Sequence, residues 1–287
     1  MQSAVAAQDS VSSIRGIGIV LIIFAVIFPL CVSARGQTDF TRIQGNEDQS
    51  VPVPTFVGTL GQKDAGALQE LVDYLKAANI LAWHGMQASG VMTDSHGNTD
   101  QATLTIQGAD DFRLDVQMSK GKRSTRISQG NGETLEVDGK RIAIPPATAA
   151  GGLLAFPQLL TSTFPSADTA FIDRGQVRIS GRALHRITLE KLAFPYATKP
   201  DTYNVNVTDL YFDPSTHLLL QSASAVQLDP ADREKYLVVI TYSDYQNVQG
   251  SLIPCRYSQS VNGQRQWSLE LNLPSLQPSI EPSYFHF

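Results

Sequence analysis

The chain has 287 residues, 42% of them apolar and 17% charged, with a formal net charge of -5. That apolar content can bury a core and excludes disorder along the whole length, although the charged fraction lies below the ~25% of an average soluble protein. The acidic balance argues against a nucleic-acid partner, since phosphate binding rests on a clustered surplus of Lys and Arg.

In chain order, Arg15 is followed by the uncharged apolar run GIGIVLIIFAVIFPLCV and then by Ser33, Ala34 and Arg35. About 17 apolar residues lie at the short limit for a membrane span, and Val32-Ser33-Ala34 puts small residues where a signal peptidase cuts. Residues 1–34 are therefore expected to be a signal peptide that directs the chain to the periplasm, with an uncleaved membrane anchor as the alternative. Leu30 stands before Cys31 where a lipobox needs a small residue, so lipidation is not expected. Once Cys31 leaves with the signal, Cys255 is the lone cysteine and no internal disulfide can form.

Residues 35–61 show no sustained period and are rich in Gly, Pro and polar residues, as a flexible tether is. The next run, KDAGALQELVDYLKAAN, places Leu68, Leu71, Val72 and Leu75 at i, i+3, i+4 and i+7 behind an N-cap at Asp64, which predicts an amphipathic helix of about four turns. From Ile80 the period changes to two. ATLTIQ alternates on Ala102, Leu104 and Ile106, and DFRLDVQM on Phe112, Leu114, Val116 and Met118. ETLEVDGKRIAI, GQVRISGRALHRITLEKL, YNVNVTDLYFDPSTHLLLQSASAVQ, KYLVVITYSDY, the stretch SLIPCRYSQSVNGQRQWSLELNL and a terminal SYFHF bring the total to about eleven candidate strands. No helix separates successive strands, so the sheet should be antiparallel. The main interruption, residues 145–166, is apolar without alternating and holds Leu153, Leu154, Phe156, Leu159 and Leu160 among prolines and small residues.

Candidate chemistry is sparse. The five histidines include no HExxH and no pair at zinc-site spacing, so neither a metal nor a cofactor is expected. His185 lies in phase with Ile187 and Leu189, where a hydrogen-bonded histidine at the edge of a core is expected. Cys255 sits mid-strand, with Arg256 on the opposite face, which is no setting for a reactive thiolate. Nucleophile elbow, Walker and dinucleotide motifs are missing from the sequence, and no catalytic residue is expected. Lys120, Lys122, Arg123 and Arg126 cluster in SKGKRSTR, read as a solvated hairpin turn or as a contact for anionic lipid or an acidic partner. An outer-membrane barrel is disfavoured because the strands read as shorter than ~9 to 11 residues, aromatics are only 8%, and a long helix comes first.

Asn262-Gly263 raises a register question. A two-residue loop would set Trp267 against Ser258 and Leu269 against Arg256, mixing apolar with polar on both faces. A three-residue loop, Val261 to Gly263 with a G1 bulge, would set Tyr257 against Trp267 and Cys255 against Leu269, making one face wholly apolar. The bulged loop is expected, with Cys255 lining that face.

The order of these elements, with DDFRLDV at 110–116, DLYFDPSTHLLLQSASAV and YSDYQNVQGSLIPCRYS, resembles the bacterial lipoprotein-carrier superfamily with the LolA-like fold. The resemblance covers 62–287. It implies a strongly curved antiparallel half barrel covered by the N-terminal helix and a short helical lid insert, and a non-catalytic protein that holds lipid or the acyl chains of lipoproteins. Its wall would use Leu104, Ile106, Phe112, Leu114, Val116 and Met118 together with Tyr257, Trp267 and Leu269. Its lid would use Leu71 and Leu75 of the helix and Leu153, Leu154 and Phe156 of the insert. The carrier's Arg-Pro pair before the Phe strand is replaced by QGADD, which puts lid latching by that route in doubt. The alternative on the same fold is an envelope protein-interaction or sensor domain that uses the convex face or the basic hairpin.

Overall fold

The computed structural model describes residues 51–56, 61–108, 111–118, 121, 123–129, 132–144, 157, 160–161, 169–193, 204–226 and 236–286. The signal segment, most of the tether and Leu153, Leu154 and Phe156 lie outside them. Among the described residues no helix is long and apolar enough to cross a membrane.

Helix α1 spans Ala65–Ala78 and ends at Asn79, whose left-handed φ of 50° stops it. Asp64 holds the N-cap position but its side chain caps nothing. Its carboxylate instead accepts the backbone N–H of Asp173 at 3.1 Å. The helical period is as expected, but the buried stripe is rotated. Ala67, Glu70, Leu71, Tyr74 and Ala78 face the sheet, while Val72 is 42% exposed. Apolarity alone misplaced the stripe because Glu70 and Tyr74 carry polar ends that find partners once buried.

Among the described residues fourteen strands follow, more than the eleven expected: β1 (Gly85–Asp94), β2 (Thr99–Gln107), β3 (Asp111–Gln117), β4 (Arg123–Gln129), β5 (Gly132–Val137), β6 (Lys140–Ile144), β7 (Thr169–Ile179), β8 (Arg182–Ala193), β9 (Asn204–Phe212), β10 (Leu219–Val226), β11 (Tyr236–Val248), β12 (Ser251–Val261), β13 (Gln264–Leu271) and the short β14 (Ser275–Leu276). The basic stretch read as a hairpin turn supplies β4, and β1 was hidden by its Gly, Ala and Ser. The terminal SYFHF is not a strand: Pro282–Phe285 form a 3-10 turn, as suits a proline that offers no ladder donor. That turn docks on β3, where Arg113 donates to the Tyr284 carbonyl at 2.7 Å and stacks on its ring at 4.3 Å.

The strands form one open, curved half barrel in the order β6-β5-β4-β3-β2-β1-β13-β12-β11-β10-β9-β8-β7, with β14 beside β1. It consists of two antiparallel meanders, β1–β6 and β7–β13, joined where β1 pairs with β13. At that seam Gly90 faces Leu271, and a Cβ there would stand 2.1 Å from the Glu270 carbonyl oxygen. Register shifts in the β7–β8, β9–β10 and β12–β13 pairs bend the second meander. Several strands are 11 to 13 residues long, so strand length does not argue against a membrane barrel. The polarity does: the apolar face points inward under the helix and the sheet stays open, the reverse of a closed barrel with a lipid-facing apolar band.

Candidate functional site

The inner face of the sheet carries one continuous apolar cluster. Cross-strand partners project to the same side, so the register reads out its rows. Met86, Ile106 and Phe112 form one row across β1, β2 and β3, and Ala88, Leu104 and Leu114 form the next. Met92 faces Leu269 across the seam. Of the expected wall, Leu104, Ile106, Phe112, Leu114, Val116, Met118, Tyr257, Trp267 and Leu269 all lie buried in this cluster, together with Leu71 of the helix. Leu75 is partly buried against it, and Leu160, from the apolar insert, is fully buried within it. Met86, Ala88 and Met92 escaped the sequence reading although they join the halves of the wall; the small residues of β1 blurred its alternation.

The β12–β13 hairpin corrects the expected loop. Val261 pairs with Gln264, so Asn262-Gly263 alone form the turn, and both have positive φ, 48° and 79°. That two-residue geometry matches the twist of the strands. The mismatch it creates is repaired further along, where Gln259 faces Trp267 while Ser260 faces Arg265, leaving Gln266 as an extra residue on β13. Tyr257 then opposes Leu269 rather than Trp267, and the Trp267 indole N–H donates to the Gln259 side chain at 2.9 Å. Cys255 is buried in the same wall, as expected, although its expected pairing with Leu269 is not the one formed. Burial, followed by the nearby Asp244 charge, pushes its thiol up to about 11, and this suppresses the thiolate a nucleophile needs.

Polar groups gather where α1 meets the sheet. Tyr74 packs on Phe212 with ring centroids 5.6 Å apart, and the Tyr242 hydroxyl shares a 2.8 Å hydrogen bond with Ser222. Glu70, only 6% exposed, reaches His185 Nδ1 at 2.8 Å through one oxygen and His217 Nδ1 at 3.0 Å through the other. The second nitrogen of His185 lies 2.8 Å from Asp173. His185 is thus the hydrogen-bonded histidine expected at the core edge. Burial opposes its charged form, but the hydrogen bonds and charges of Asp173 and Glu70 prevail and raise its pKa. Gly66 permits the contact, since a Cβ there would stand 2.2 Å from an Asp173 carboxylate oxygen. This cluster ties α1 to β7, β8 and the β9–β10 turn. Among the described residues no group of three or more His, Cys, Asp or Glu side chains is arranged to hold a metal ion.

The basic stretch divides. Arg123 is exposed at the start of β4, Lys120 and Lys122 lie outside the described residues, and Arg126 turns to the inner face.

No family model matches the chain, and no curated protein matches it. Solved structures do share its architecture. A domain described as an outer membrane lipoprotein-sorting protein, from Vibrio parahaemolyticus, superposes with a TM-score of 0.53 at 12% identity, over 77% of this chain and 96% of that one. A LolA superfamily protein from Nitrosomonas europaea gives a TM-score of 0.51 at 9% identity, over 77% of this chain and 97% of that one. The chain, an open half barrel with a helix on its apolar face, therefore shares the fold of these structures, one of them a LolA superfamily protein.

Proposed function

We propose that this chain is a non-catalytic periplasmic binding protein that holds lipid, or the acyl chains of lipoproteins, between the curved sheet and its helical cover. One observation carries the reading: the apolar inner face is wider than the helix on it. Helix α1 lies against β7 and β12. Its 14 residues span ~21 Å in length but only ~10 Å in width. The apolar wall continues through β13, β1 and β2 to β3, roughly 19 Å beyond β12 at ~4.8 Å per strand. A sheet face of that width needs a second cover, and an acyl chain gains about 0.8 kcal/mol for each CH2 it buries there. Leu104, Ile106, Phe112, Leu114, Val116 and Met118, with Tyr257, Trp267 and Leu269, form the proposed wall. Leu71 and Leu75, with Leu153, Leu154 and Phe156 of the insert, form the proposed lid. The raised pKa of Cys255 supports the non-catalytic part of the reading. The likeness in fold to a lipoprotein-sorting domain supports the cargo class.

Native mass spectrometry of the exported chain, purified without detergent, tests this. We expect bound masses in the lipid range that organic extraction removes and added palmitate restores. A protein that emerges free of lipid and takes up none on incubation would overturn the reading.

A further inference from the structure

Two tryptophans stand in the inner apolar cluster, and they treat their indole N–H groups differently. Trp267 on β13 donates its N–H to the Gln259 side chain at 2.9 Å. Trp83 is as enclosed, 6% exposed against 4%. Its Nε1 is buried, and no acceptor among the described residues takes its hydrogen. The chain on either side of Trp83 is pinned. Ahead of it, the 3-10 turn Ile80–Ala82 packs on α1 and β12, and the Ala82 carbonyl accepts the Gln277 side chain at 3.5 Å. Behind it, the His84 carbonyl accepts the Gly108 N–H at 2.7 Å, and β1 begins at Gly85. Trp83 therefore stands where the chain leaves the helix over β12 and enters β1, at the border between the part of the wall that α1 packs on and the part beyond it.

A phenylalanine at this position would offer an apolar ring without a donor, whereas an N–H buried without an acceptor costs free energy. Buried indole N–H groups accordingly find partners in most proteins, as Trp267 does here. In a wall that holds acyl chains, the acceptor that arrives with the ligand is the carbonyl oxygen of its ester, amide or carboxyl group. A donor fixed in advance loses little freedom on binding, and its hydrogen bond is stronger in a low-dielectric wall than in water. On the basis of the lipid-binding reading above, we propose that Trp83 is the internal donor of the ligand site, giving its N–H to the carbonyl oxygen of an acyl group. The ligand class is thereby narrowed from any hydrocarbon chain to acyl compounds whose carbonyl enters the wall with the chain. The indole carries no charge, so neutral esters and amides qualify as well as fatty acids. Alkyl chains without a carbonyl would bind by burial alone.

Three probes separate the possibilities: methyl laurate, laurate and dodecane, each added to the delipidated full chain. Displacement of the fluorescent hydrocarbon diphenylhexatriene measures their binding, and a nitrogen–proton correlation spectrum reads the indole N–H signals. The chain has two tryptophans, so Trp267→Phe identifies the signal of Trp83. Saturating methyl laurate should move the Trp83 signal downfield, as a new hydrogen bond does, and leave the Trp267 signal in place, while dodecane moves neither. Comparison of methyl laurate with laurate shows whether the carbonyl received is that of an ester or of a free carboxyl. Trp83→Phe keeps an aromatic ring and should weaken the preferred carbonyl probe about threefold to tenfold, the effect of one hydrogen bond, with dodecane unchanged. A Trp83 signal that stays still while methyl laurate and laurate each saturate binding overturns the assignment, and so does an equal loss for dodecane in Trp83→Phe. Both results leave the lipid-binding reading standing, whereas failure of every probe to bind, diphenylhexatriene included, contradicts that reading and this inference together. If Trp83→Phe does not fold, by circular dichroism, the wild-type spectrum decides.

Discussion

The two meanders share one sheet and one apolar inner face, and they differ on the outside. In the second meander the middle of β8 and most of β9 are buried on both sides. Val207 to Phe212 of β9 are buried without interruption, and a second cluster of Ile179, Leu184, Tyr211, Ala223 and Val239 lies on the outer face. Beside it Asp209, fully buried, accepts hydrogen bonds from Arg186 and Thr188, each at 2.6 Å. In the first meander β3 alternates strictly between buried inward and half-buried outward residues. Its outer face is held by the C-terminal turn, where Asp115 takes Arg113 at 2.8 Å and Thr125 at 2.5 Å. The second meander thus has a double core and carries the helix. The first has a single apolar face, which is buried although α1 packs on β7 and β12 of the other meander.

The largest expected effect is in the double core. Asp209→Ala leaves Arg186 desolvated without its carboxylate, which should cost about 3–5 kcal/mol, read from the urea midpoint. Arg113→Ala, at a pair whose side chains are each 18% exposed, leaves Asp115 its bonds from Thr125 and Tyr284 and should cost clearly less, and equal losses would erase the distinction between the halves.

Next comes the seam. Gly90→Ala forces a methyl group against the Glu270 carbonyl and should destabilise by about 1–3 kcal/mol. Because the meanders meet there, the unfolding transition should also broaden or split. A single sharp transition at the wild-type midpoint would show that the seam yields freely.

The helix clamp gives a smaller, pH-dependent effect. The folded pKa of His185 is raised above 6.5, so its contribution is fully present below about pH 6.5 and is lost as pH rises through the folded value. Burial opposes the charged form of Asp173, but its bonds to His185 and to the Gly175 N–H prevail and lower its pKa from 3.8, so its contribution is present above that pH and is lost as pH falls through its folded value. The clamp should therefore be strongest between the two, and His185→Gln should lose most stability near about pH 5 and least near about pH 9. A deficit that grows with pH would reverse this assignment. The smallest effect belongs to Cys255→Val, a near-isosteric change in the wall, which should cost less than about 1.5 kcal/mol and leave lipid binding unchanged.

What was legible in the sequence follows from range. The inward residues of β2, β3 and β13 could be read because a period of two is local, and the length of α1 because Asn79 ends it. The face of α1 could not be read, since Glu70 is buried only through His185 and His217, more than a hundred residues away. The hairpin register was misread because the apolar match was sought in the loop, whereas the chain restores it with an extra residue at Gln266. Arg126 was grouped with its basic neighbours because charge suggested solvent; its inward direction follows from pairing with Leu114 and Leu135.

The most direct test of the account is backbone hydrogen exchange on the delipidated chain with and without palmitate. A ligand on the inner face beyond the helix should slow exchange in β1, β2, β3 and β13 and leave β8 and β9, already buried on both faces, unchanged. Protection confined to β8 and β9, or no change anywhere at a palmitate concentration shown to saturate binding, would contradict it.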